Sequence, residues 1–184
     1  MINVSLELIK PSLEELKKKL GIKDQAQEAV LKGIMDELFL GRDARFWFKK
    51  IETKSAVLKE LLLSSIGLSS ALKGYTEYFV VICTIGDVKQ KKEPVATLYL
   101  DKAASELCEN LAEYSAKFLL KRDHGEEGYE LSKRYSPGYG DLRLERQKDL
   151  FSLFEDEELG VKLSSSFYME PEKSISYLVG VRKK

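Results

Sequence analysis

The chain is poor in residues that do chemistry unaided. Its 184 residues include one His (His124), one Trp (Trp47) and two Cys (Cys83 and Cys108). Zinc sites usually draw three or four ligands from His and Cys, and no such set exists here. A Ser-His-Asp or Cys-His device would have to use His124. The two cysteines lack C-x-x-C spacing, so neither a redox motif nor a disulfide framework is expected. An excess of one charge is also missing: Lys plus Arg total 30 and Asp plus Glu total 30. A general nucleic-acid binder needs many uncompensated cations, which argues against that class. No apolar run approaches the ~20 residues that span a bilayer, and the opening MINVSLELIK has no apolar core of a signal peptide. These absences suggest a soluble protein of a reducing, cytoplasmic compartment, with any reactive atom brought by a bound cofactor.

What is present is a globular pattern. The composition is 43% hydrophobic with nine Tyr and eight Phe, enough for a sizeable core. INVSLEL (2–8) alternates as a short strand. Ser12 and Glu15 have capping-box spacing at the head of a helix that Gly21 ends, and Asp24 can cap a second helix with Gly41 beyond it. ARFWFKKI (44–51) reads as a strand whose Phe46-Trp47-Phe48 belongs to the core, and 55–66 reads as a Leu-rich helix. YFVVICTI (78–85) is a continuous apolar run, expected as a central strand buried on both faces. The longest helical pattern covers 98–122, with Leu107, Leu111, Tyr114 and Phe118 as its core stripe and Glu109 and Glu113 near the opposite face. A further helix is expected over 142–159, stopped by Gly160, and two strands around a turn at Pro171. Strict β-α-β alternation is missing. The reading is therefore α+β: one compact domain over 1–184, with a mostly antiparallel twisted sheet and packed helices.

The most informative segment is RYSPGYGD (134–141). Pro137 fixes φ and pushes Ser136 toward extended geometry, while Gly138 and Gly140 permit positive φ and close approach of a ligand to the backbone. Arg134 offers a fork for a carboxylate. The plainer reading is an ordinary Pro-Gly turn before a helix, with Asp141 as that helix's N-cap. A dinucleotide fingerprint is unsupported, because Arg143 stands at the third glycine position. His124 reads as a helix-end or loop residue, and Cys83 and Cys108 as core thiols.

RYSPGYGD resembles the R-x-x-P-G-Y motif of the activation domain of cobalamin-dependent methionine synthase. Two further blocks agree in order. LCENLAEY (107–114) is similar to that family's A-E-x-x-A-E-Y helix, and LGVKLSSSFYMEPEKSIS (159–176) to its G-x-K-L-T-x-S-F-x-M-x-P-x-x-S-V-S run. The resemblance is strongest over 78–180. It departs where the family has a P-A-C-P-D-H-like stretch, here GDLRLE, and where a family Trp is replaced by Glu170.

In that family a cobalamin that has slipped to the cob(II) state is rescued by reductive methylation. Reduced flavodoxin supplies an electron and S-adenosylmethionine supplies the methyl group. The resemblance implies the same role here, performed in trans on a separate cobalamin-binding methionine synthase or related corrinoid protein, with a flavodoxin-like or other electron donor. It implies that Arg134 pairs with the methionyl carboxylate and that the Ser136 backbone hydrogen-bonds the ligand. Pro137 and Gly138 shape the turn, Tyr139 lines the pocket, and Glu109 is a carboxylate near the ligand. A carboxylate and an aromatic face both suit a sulfonium. No catalytic side chain and no metal ligand is implied. The rival is a non-catalytic corrinoid-docking or chaperone module that has lost methyl-donor binding. A conventional methyltransferase is disfavoured, since no glycine-rich loop follows the first strand.

Overall fold

The computed structural model describes residues 1–40, 42, 44–125 and 127–184. Gly41, expected beyond the second helix, lies outside the described residues. In chain order the elements are β1 (Ile2–Val4), α1 (Leu13–Leu20), α2 (Gln25–Phe39), β2 (Ala44–Ile51), α3 (Ala56–Ser64), α4 (Ile66–Ala71), β3 (Glu77–Thr84), α5 (Pro94–His124), β4 (Tyr129–Leu131), α6 (Gln147–Ser152), β5 (Lys162–Leu163), β6 (Met169–Glu170) and β7 (Ser174–Lys183). Local rules account for the early ends. Ser12 accepts from the Glu15 amide at 3.4 Å, Gly21 closes α1 at φ 67°, and Asp24 accepts from the Gln27 amide at 2.8 Å.

The main sheet is antiparallel and curled, with strand order β1-β2-β3-β7-β4. The apolar run at 78–85 is its middle strand, and the pleat splits it between two cores. Phe79, Val81 and Cys83 face α1, α2 and α5, while Tyr78, Val80 and Ile82 face α3, α4 and α6. Phe46 and Trp47 are buried on opposite faces in the same way. This is the expected α+β architecture, resolved as helices on both sides of one sheet. Leu107 and Leu111 of α5 are fully buried, while Glu109 and Glu113 are exposed.

Several boundaries differ from expectation. The first strand stops at Val4, and Leu6–Leu8 turns into a 3₁₀ helix. The 55–66 helix breaks at Ser65, whose extended backbone and side chain start α4 by accepting from the Leu68 amide at 2.9 Å. The 142–159 helix shrinks to a 3₁₀ turn (Leu144–Arg146) and the short α6, with Leu150 and Phe154 still buried. Glu155 to Glu158 would place four carboxylates at a helix C-terminus, against the macrodipole. Asp156 and Glu157 are instead drawn to Lys49 of β2, at 3.1 and 3.0 Å. The two tail strands form no hairpin: β6 pairs with β5, and β7 inserts between β3 and β4. β4 gave too short an apolar signal to be read from sequence.

Leu107→Ala should destabilise the chain by about 2–5 kcal/mol, the range for an emptied core site. Leu63, 88% exposed, should tolerate the same change within about 0.5 kcal/mol in urea unfolding.

Candidate functional site

The loop 134–141 follows β4 along the outer edge of β7. Tyr135 exchanges two backbone hydrogen bonds with Leu178, both 2.9 Å. Pro137 and Gly138 form the expected turn, closed by the Tyr139 amide on the Ser136 carbonyl at 3.1 Å with Gly138 at φ 90°. The Gly138 amide then donates to the Leu142 carbonyl at 2.8 Å, so the turn is braced from behind.

Asp141 caps a helix, though not the one that follows it. Its carboxylate accepts from Ser65 Oγ (2.5 Å), the Ile66 amide (2.7 Å), the Gly67 amide (3.1 Å) and the Tyr135 hydroxyl (3.1 Å). The loop is thereby tied to the N-terminus of α4, some 75 residues earlier in the chain. The Ser65 hydroxyl first, then the Gly67 amide and the Tyr135 hydroxyl, hold the Asp141 carboxyl down to about 2. Gly67 is required here, because a Cβ would stand 2.1 Å from the Tyr135 hydroxyl. A Cβ on Gly140, which lies at φ 58°, would approach the same oxygen to 2.8 Å.

Beside this loop lies a groove of about 830 Å³. Arg134, Ser136, Pro137, Tyr139 and Glu109 all line it; Gly138 does not, and serves the turn behind. Glu109 reaches across from α5, its Oε2 3.0 Å from Arg134 Nη2. Glu113, a possible neighbour for Glu109, is taken by Lys117 at 2.5 Å. The Arg134 guanidinium lies over the Tyr177 ring at 5.5 Å. Tyr177 is itself fixed, its hydroxyl 2.8 Å from Ser115 Oγ and donating to the Ala112 carbonyl at 3.1 Å, and burial pushes its phenol far above the usual range. Among the described residues, the Ser136 amide and hydroxyl have no protein partner.

The floor comes from residues that no site reading had singled out. Ser174, Ile175 and Ser176 belong to the part of β7 that lies before the Tyr135 bridge and β4. Buried Gln147 accepts from Ser176 Oγ and donates to the Phe167 carbonyl at 3.2 Å, holding the turn that presents Tyr168. Tyr139 and Tyr168, 69% and 64% exposed, leave two aromatic faces at the groove. The SSSFYMEPEKSIS stretch carried a signal for Tyr168 and the serines; nothing in the sequence marked Gln147 or Tyr177. The groove thus joins a cation, a carboxylate, free backbone and hydroxyl donors, and aromatic surface. That set suits a small zwitterion with a flat apolar part.

The remaining candidates are structural. His124 ends α5 half-buried, stacked on Tyr129 at 4.1 Å and 3.2 Å from Glu77, rather than exposed in a loop. Cys83 and Cys108 are buried thiols whose Sγ atoms donate to the Ile175 and Lys173 carbonyls, and burial raises the Cys83 thiol well above its ordinary value. Among the described residues no group of three His, Cys, Asp or Glu could hold a metal ion, and no helix is long and apolar enough to cross a membrane.

No family model matches the sequence, and no curated protein is similar to it. A solved structure is: the MetH reactivation domain bound to AdoHcy, with a TM-score of 0.65, covering 97% of this chain and 77% of that one at 15% identity. The fold is a reactivation-domain fold. Sequence and structure therefore agree on the architecture that the three ordered blocks suggested.

Asp141→Ala should lower the thermal midpoint at neutral pH. The folded-state carboxyl is depressed, so its stabilisation is present above the unfolded value near ~3.9 and is lost as pH falls through about 2. Melts of both proteins should converge across that window. A difference as large at its acid end as at pH 7 would show that the ionised carboxylate is not the anchor.

Proposed function

We propose that this chain binds S-adenosylmethionine in the 134–141 groove and acts in trans on a cobalamin-carrying methionine synthase or related corrinoid protein, in the cytoplasm. The observation that carries the reading is one groove lined by Arg134, Ser136, Pro137, Tyr139 and Glu109, in a fold shared with a domain bound to AdoHcy. About 830 Å³ accommodates a ligand of this size, since small-molecule sites run to several hundred Å³.

In this reading Arg134 takes the methionyl carboxylate, and the unpartnered Ser136 amide donates to the ligand. The Tyr139 ring suits the sulfonium, and the Glu109 carboxylate is available to the ligand's cationic groups. Bound S-adenosylmethionine supplies the methyl group for reductive methylation of cob(II)alamin, with one electron from a flavodoxin-like donor, and leaves as S-adenosylhomocysteine. The chain's own contribution is to hold the donor in place against the partner's cofactor, and no side chain need act as acid, base or nucleophile. The exposed Tyr139 and Tyr168 leave the groove accessible to a docking corrinoid protein.

A thermal-shift scan with S-adenosylmethionine and S-adenosylhomocysteine tests the reading. A ligand at a hundred times its Kd stabilises the folded state by about 2.7 kcal/mol. Both should raise the midpoint, and Arg134→Ala should lose the shift while keeping its unliganded midpoint. Mixing with a cob(II)alamin methionine synthase and a reductant should then restore turnover. No shift with either ligand would sink the methyl-donor reading in favour of a docking or chaperone module.

A further inference from the structure

The two charged side chains of the groove satisfy each other. The contact is a single one, Arg134 Nη2 to Glu109 Oε2 at 3.0 Å, and the other guanidinium nitrogens have no hydrogen-bond partner among the described residues. Both side chains are partly solvated, 30% and 50% exposed, so the pair is weak and cheap to open. The two partners differ in freedom. Arg134 rests over the Tyr177 ring, which Ser115 and Ala112 hold in place. Glu109 projects from the exposed face of α5, and Glu113, which also feels the Arg134 charge, hydrogen-bonds Lys117 instead.

We propose that the Glu109–Arg134 pair is a latch which fills the groove's own anion and cation positions until a ligand carrying both charges replaces it, so that Glu109 selects zwitterions over plain carboxylates. This rests on the reading that the groove binds an S-adenosyl amino acid. An incoming carboxylate can meet the guanidinium in the two-point geometry that Glu109 does not use, and so displaces it. The displaced Glu109 remains at the groove. If the ligand also carries a cation, Glu109 pairs with it and no charge is left alone. If the ligand carries only a carboxylate, two anions crowd one guanidinium; Glu172, which also lines the groove, is exposed and paired with Lys173 at 3.6 Å. Lys133 is the other cation lining it, and it is exposed to solvent.

The test is calorimetric titration of wild type and Glu109→Gln with S-adenosylhomocysteine and with its analogue lacking the α-amino group. Glu109→Gln removes both the competitor and the repulsion, so the des-amino analogue should bind roughly twofold to fivefold more tightly than to wild type. S-adenosylhomocysteine, which loses its partner for the ammonium, should not gain. The substitution is on an exposed helix face, and an unchanged thermal midpoint confirms folding. If wild type binds S-adenosylhomocysteine but the des-amino analogue gains nothing in Glu109→Gln, the latch is wrong and the groove assignment stands. If wild type binds neither probe, the groove assignment falls and takes the latch with it.

Discussion

A single carboxylate decides where the 134–141 loop lies. Asp141 caps α4, accepts from Ser65, and receives the Tyr135 hydroxyl, so four donors from two parts of the chain converge on two oxygens. Tyr135 meanwhile bridges to Leu178 through its backbone. The loop is therefore fixed at both ends, and Arg134, Ser136, Pro137 and Tyr139 inherit their positions from those two anchors. Gly67 and Gly140 are small because the Tyr135 hydroxyl passes between them. Remove the carboxylate, and a helix N-terminus and a turn both lose their partner.

The groove exists because β7 is longer than what covers its outer edge. β3 pairs along β7 from Ser174 to Val181, whereas β4 and Tyr135 cover the other side only from Leu178 onward. Ser174 to Ser176 are left as floor, with Gln147 closing one wall. Tyr177, the residue after the floor, points the other way from Ser176 into the α5 core and supports Arg134 with its ring. The alternation of one strand thus builds both the floor and the support of the cation.

Much of this was legible in the residues, and the parts that were not share a cause. Caps and periodicity acting over three or four residues, such as Ser12 with Glu15, Asp24, and the stripe on α5, appear where expected. The turn at Pro137-Gly138 was equally local. What escaped was set by distant partners. Asp141 looks like a cap for the segment after it, and only tertiary structure brings α4 to it. The expected helix over 142–159 ends at Ser152, and its acidic end turns to Lys49, a hundred residues away in sequence. Gln147 and Tyr177 carry no motif, since their roles depend on what the sheet places beside them.

The scarcity of His and Cys now has a physical counterpart. The one histidine is stacked on a tyrosine, the two thiols are buried, and the groove relies on an ion pair, backbone donors and aromatic faces. Such a site can position a reactive molecule without reacting itself. The most direct measurement of that claim is a crystal structure of the chain grown with S-adenosylhomocysteine. The account predicts the ligand in the 134–141 groove, its carboxylate on Arg134 and Glu109 turned from the guanidinium to the ammonium. Ligand bound elsewhere, or bound there with the Glu109–Arg134 pair intact, would contradict it.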